Sequence, residues 1–231
     1  MSKLISLSIF FFFLVSISSA AEEKGAKAIF HSGEGPVIHT TKTVSPTGKV
    51  PERKKPEVET YMGITYWIDL VKSTGERSRV TTDRNFKSGE RIKLNLQTNR
   101  DGYLYVINIG TTGTSRILFP HRTDIDNFVK AKKPVGIPLE TFMRFDETPG
   151  EETVLVMLSP KPMAEFSPSS VKLKDEEEKE LTALVQQKGA KDLIIETDAA
   201  SKTPAQYAVV PVSVLDEGKF ITLQIKLKHT K

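Results

Sequence analysis

The stretch RIKLNLQTNRDGYLYVINIGTTGTSRILFP, residues 91–120, decides the fold. Ile92, Leu94 and Leu96 alternate with Lys93, Asn95 and Gln97. A period of two describes a strand with one buried face. Asn99-Arg100-Asp101-Gly102 follows, and an Asp-Gly pair supplies the positive φ that a tight hairpin needs. The pattern therefore predicts a hairpin into a second strand at 103–109. The break GTTGTS at 110–115 predicts another hairpin, into a strand at 116–119. Its glycines and threonines imitate a phosphate-binding loop, but neither the required lysine nor a helix follows.

Working outward, Ile64, Tyr66, Ile68 and Leu70 alternate with Thr65, Trp67, Asp69 and Val71, and STGE at 73–76 makes a turn. A further strand covers 153–159. A helix is predicted over 175–188, with Asp175 as cap, Glu178 at capping-box spacing, and Leu181, Leu184 and Val185 on one face. Strands at 192–197 and 207–213 come next. Ile221, Leu223, Ile225 and Leu227 form the cleanest alternation in the chain, and such a strand needs a sheet to join. The class is mainly β: an antiparallel β-sandwich or partly open barrel, with one C-terminal helix and a C-terminal strand joining the sheet.

The chain has 231 residues and no cysteine, so it has no disulfide, thiolate metal site or cysteine nucleophile. Residues 1–20 read as a secretory signal: Lys3, an apolar stretch over 4–17, then Ser18-Ser19-Ala20. Cleavage between Ala20 and Ala21 is expected, and no transmembrane span after it. Export without cysteines points to a bacterial periplasm or secretion. Residues 21–58 read as a disordered, basic, proline-containing tether that adds nothing to stability. Of the net charge of +4, most sits at Lys42, Lys49, Arg53, Lys54 and Lys55 in that tether. The folded part is near neutral, which gives nucleic-acid binding no electrostatic support. The domain proper is expected at 59–163, with 164–231 packing back on it.

The central segment resembles a known family. Its residues are Phe86, Ser88, Gly89 and Glu90; Asn99, Asp101–Val106 and Asn108; Leu118, Phe119 and Pro120; and Phe142, Phe145, Asp146, Pro149, Gly150 and Glu152. Over about 60–160 this pattern resembles the bacterial domain-of-unknown-function family 4384. The resemblance implies a compact β-domain in exported or envelope-associated proteins, and it brings no catalytic residue.

The sequence contains no nucleophile elbow and no His-Glu-x-x-His helix. His121 with Asp124 and Asp126 is the one local metal-like cluster, but a polar loop whose Asp side chains cap turns is the better explanation. No catalytic residue, metal or cofactor is assigned. Tyr66, Tyr103 and Tyr105 are expected in the core, and Trp67 at an exposed or partner-covered position. The segment 122–133, following Leu118-Phe119-Pro120, is expected to be the principal interaction loop, with Arg122, Asp124, Phe128 and Lys130 as its contacts. The expected role is a non-enzymatic protein-interaction or assembly module of the envelope; the alternative is a carbohydrate- or cell-wall-binding module. The partner is accordingly an envelope protein or a cell-wall glycan.

Overall fold

A computed structural model describes residues 25–37, 58–111, 113–122, 124 and 126–231. Helix α1 (Ala26–Ser32) leads to β1 (Glu34–Pro36). Strands β2 (Val58–Val71), β3 (Arg77–Val80), β4 (Phe86–Lys87), β5 (Arg91–Thr98), β6 (Gly102–Ile109) and β7 (Ser115–Phe119) follow. Short strands β8 (Phe128–Val129), β9 (Val135–Ile137) and β10 (Met143–Arg144) precede the long β11 (Gly150–Ser159). The last third holds α2 (Asp175–Lys188), β12 (Ile194–Asp198), β13 (Ala205–Pro211), α3 (Val212–Asp216) and β14 (Ile221–Thr230).

The strands form two sheets. One runs β10-β5-β2-β13-β12, with β1 and β3 also on β2, and β9 also on β5. The other runs β4-β14-β11-β6-β7, with β8 on β6. Pairing is antiparallel except between β14 and β4. The alternation now has its cause. Ile64, Ile68, Leu94 and Leu96 of the first sheet meet Leu104, Val106, Val154, Val156, Ile225 and Leu227 of the second in one core. The mainly β, two-sheet expectation holds. So does the integration of the C-terminal strand, because β14 lies between β4 and β11 rather than at an edge.

Asn99–Gly102 is not a hairpin. β5 belongs to the first sheet and β6 to the second, so this segment carries the chain across the sandwich. Asn99 pins the crossing to β2: the Gly63 N–H donates to its Oδ1 (2.7 Å), and its Nδ2 donates to the Tyr61 carbonyl (3.2 Å). Gly102 is required for closeness rather than for a left-handed φ. A Cβ there would lie 2.6 Å from the Met62 Cε and 2.8 Å from the Ser159 carbonyl oxygen. The GTTGTS hairpin does form, closed by the Gly110 N–H on the Thr114 carbonyl (3.1 Å), with Gly113 at φ 80°.

α2 spans the predicted residues, but its cap lies one residue earlier. Lys174 is the N-cap, and its backbone N–H donates to Glu177 (2.9 Å). Glu177 also accepts from the Ser169 N–H and hydroxyl (2.8 Å each). Leu181 and Leu184 pack with Ile107, Leu155, Met157 and Phe220 on the outer face of the second sheet. Glu178 accepts from the Ser115 N–H (2.8 Å), tying the helix to β7.

The tether expectation fails for residues 25–37. Ala26, Ile29 and Phe30 of α1 bury against Tyr61 and Val209 on the outer face of the first sheet. Gly33, at φ 75°, ends the helix, and β1 then pairs with β2. Lys27 holds Asp198 on β12 (2.6 Å). Seven residues cannot sustain a helix alone; this one exists because the sheet receives its apolar face. The signal, the Ala20–Ala21 junction and the remainder of the tether lie outside the described residues. Among the described residues, no helix is long and apolar enough to cross a membrane.

Candidate functional site

In the segment 122–133, Arg122 and Lys130 are held by nearby carboxylates, whereas the exposed Lys132 and Lys133 make no ion pair among the described residues. Arg122 grips Asp124 through two hydrogen bonds (2.9 and 2.6 Å). Lys130 reaches Asp101 (3.1 Å) and lies 4.7 Å from the centre of the Phe128 ring. Phe128 is half-buried in β8, edge-on to Tyr103 with ring centres 5.2 Å apart. Asp126 accepts from the Phe128 N–H (3.0 Å). Thr123 and Ile125 lie outside the described residues. His121, Asp124 and Asp126 form no metal cluster; among the described residues no group of three such side chains is placed to hold an ion. Trp67 is half-buried beneath the chain's own Arg79, whose guanidinium lies 4.6 Å from the centre of its ring system. Tyr66 is core as expected, whereas Tyr103 and Tyr105 are only half-buried, on the outer face.

A different surface stands out. β3, β2, β5 and β10 are neighbours, and their registers place Arg77 opposite Val71, Val71 opposite Arg91, and Arg91 opposite Arg144. Leu70, Ile92 and Met143 turn inward to the core, so this row faces outward. Three arginines therefore share one row. The parallel row carries Arg79, Asp69 and Lys93. Asp69 accepts from Asn95 (2.9 Å) and lies 3.9 Å from Arg79.

Lys93 is 7 % exposed and builds the wall beside the row. Its ammonium donates to the carbonyls of Pro138, Leu139 (3.1 Å) and Thr141 (2.8 Å). The lysine stem passes over β9 because residue 136 is glycine; a Cβ there would sit 2.9 Å from the Lys93 Cε. Burial, and then the nearby Arg77, push the ammonium below its ordinary range. With 138–141 held, the Phe142 ring comes 5.4 Å from Lys93, 5.4 Å from Arg91 and 5.8 Å from Arg77. Cations favour an aromatic face at this range.

Two depressions flank β10. A broad basin of about 740 Å³ is lined by Lys87, Ser88, Arg91 and Arg144 among others. A cleft of about 420 Å³ enters where the sheets part, bordered by Asn108, Arg116, His121, Phe142, Arg144 and Glu152. Asn108 donates to Glu152 (3.0 Å), while its Oδ1 is buried without a partner. Arg144 belongs to both depressions. Among the described residues, none of Arg77, Arg91, Arg116 and Arg144 takes part in an ion pair.

One pairing imitates catalysis. Ser88 Oγ lies 3.0 Å from Nε2 of the buried His229. The His229 Nδ1 is buried without a partner, so no carboxylate orients the ring. The Ser88 and Gly89 N–H groups donate to the carbonyls of Thr230 and Phe145, which leaves neither for an oxyanion. The pair fastens β4 to the end of β14.

Sequence reading missed Arg77, Arg91, Lys93, Phe142 and Arg144. Their signal was the polar half of each alternation, visible in RSRV at 77–80 and RIKL at 91–94. What it lacked was the strand order that gathers them.

No curated protein and no solved structure matches the chain. The central segment, residues 85–162, matches the family described as Domain of unknown function (DUF4384), and this segment supplies β4 through β11 and, with them, Arg91, Lys93, Phe142 and Arg144.

Proposed function

We propose that the chain is an exported, non-catalytic binding module of the bacterial envelope that holds a partner protein at the surface around β10. The observation that carries this reading is the half-buried Phe142, which lines the cleft and follows directly on the segment held by the three carbonyl bonds of Lys93. The Lys93 ammonium makes no ion pair among the described residues and holds the 138–141 backbone instead. β10 also ends its sheet, so one side of its backbone has no ladder partner. A protein segment can use such an edge. A glycan would favour an exposed aromatic platform, and Trp67 lies under Arg79. Export rests on the sequence of residues 1–20.

The test is site-specific photo-crosslinking in the native cell. A crosslinker replacing Thr141, on the rim of the cleft, is expected to give a discrete protein adduct. The same group at the exposed Gln187 on α2 is expected to give none, and Phe142→Ser is expected to weaken the Thr141 adduct. Adducts from Gln187 or from 122–133, with none from Thr141, would overturn the reading.

A further inference from the structure

Arg91 and Arg144 stand directly opposite one another on adjacent strands, and no carboxylate answers either among the described residues. Arg77 extends the same row two strands away. Like charges placed directly opposite destabilise a sheet. Other arginines do find a carboxylate: Arg79 lies near Asp69, and Arg84 pairs with Glu90 and Arg122 with Asp124. Of the arginines that meet no carboxylate among the described residues, Arg77, Arg91 and Arg144 share this row, Arg116 borders the adjoining cleft and Arg100 lies apart from them. A local conflict of this kind is expected where a partner resolves it.

We infer that this row binds an acidic, extended peptide segment whose carboxylates alternate along the strand. The inference rests on the binding-module reading and names the chemistry of its partner. Three features point to a peptide with carboxylates. The guanidinium is a planar fork that matches a carboxylate with two parallel bonds. The open side of β10 offers main-chain groups to another strand, which a peptide can pair and a glycan cannot. A strand added there would lie about 4.8 Å beyond β10. Every second side chain would then fall on the face of the arginine row, so acidic residues at i and i+2 would face it. Arg116 borders the adjoining cleft, together with Glu152, and carries a further guanidinium toward the second sheet.

The experiment uses the purified full chain and a fluorescent alternating Thr–Glu decapeptide, read by anisotropy. The expected result is saturable binding that weakens as salt is raised. Binding is expected to fall about tenfold in Arg91→Gln/Arg144→Gln, a loss of about 1.4 kcal/mol. The single Arg144→Gln variant, at an exposed position, is expected to show part of that loss. Lys132→Gln/Lys133→Gln is expected to bind unchanged, and the Thr–Gln counterpart peptide not at all. Arg91→Lys/Arg144→Lys is expected to recover only part of the affinity, because it restores charge without the fork. Absence of binding, or binding indifferent to the arginine substitutions, would overturn the inference. So would a sulfated oligosaccharide that binds in an arginine-dependent way while the peptide does not. A Thr141 crosslink that persists in the double variant would sink this inference and leave the binding reading standing. Loss of that crosslink from the wild-type chain would sink the reading itself.

Discussion

Arg144 is the residue on which the account turns. It stands opposite Arg91 on the adjacent strand and makes no ion pair among the described residues, although Glu152 and Glu90 line the depressions it borders. Removing that charge from the isolated protein should therefore stabilise it. Arg144→Gln is expected to raise unfolding stability by about 0.2–1 kcal/mol in urea titration; a fall of that size would show that Arg144 is satisfied in the free chain. Lys93 should behave in the opposite sense. Lys93→Met fills similar space but strands three carbonyls, and is expected to cost about 1–3 kcal/mol. Loosening of 138–142, seen as faster amide exchange there, should accompany it. These residues were legible as strand faces, since Arg91 and Lys93 flank Ile92 in plain alternation. Their convergence was not legible, because it depends on pairings between residues separated by tens of positions.

At the scale of elements, the two helices show opposite routes to the same end. α2 carries its own signals, with four acidic residues in its first turn, and its span was readable from sequence. α1 has only Ala26, Ile29 and Phe30 at helical spacing, inside a stretch whose glycines and prolines read as a tether. Its stability is tertiary. Phe30→Ala is expected to cost about 3 kcal/mol in thermal or chemical unfolding, where a true tether would show no change. The α2 cap makes a pH prediction. Glu177 accepts backbone hydrogen bonds from Lys174 and Ser169, which hold its carboxyl down at about 2. A lowered folded value means the stabilisation is complete above the ordinary 4.5 and is lost as pH falls toward 2. Glu177→Gln should flatten the acid limb of the stability profile in that window; an unchanged limb would show the cap to be unimportant. The Asn99–Gly102 segment was misread for a related reason. Asp-Gly permits a tight turn locally, but Asn99 bonds to β2 and the tight fit at Gly102 commits the chain to crossing between sheets.

At the scale of the molecule, β14 closes the second sheet long after β4, β6 and β11 have been made. It buries Ile221, Leu223, Ile225 and Leu227, each contributing roughly 1.5–3 kcal/mol. Set against a total stability of about 5–15 kcal/mol, a chain ending at 220 should show no cooperative unfolding transition; one that melts normally would refute the strand's central place. The two-sheet sandwich leaves β10 at an open end, with cationic side chains on its outer face and a cleft alongside. The most direct test of that surface as the working face is hydrogen–deuterium exchange of the full chain, alone and with its crosslinked partner. New protection is expected at 138–145 and 116–121, with 122–133 and 194–198 unchanged. Protection confined to 122–133 or to the β12 edge would contradict that role.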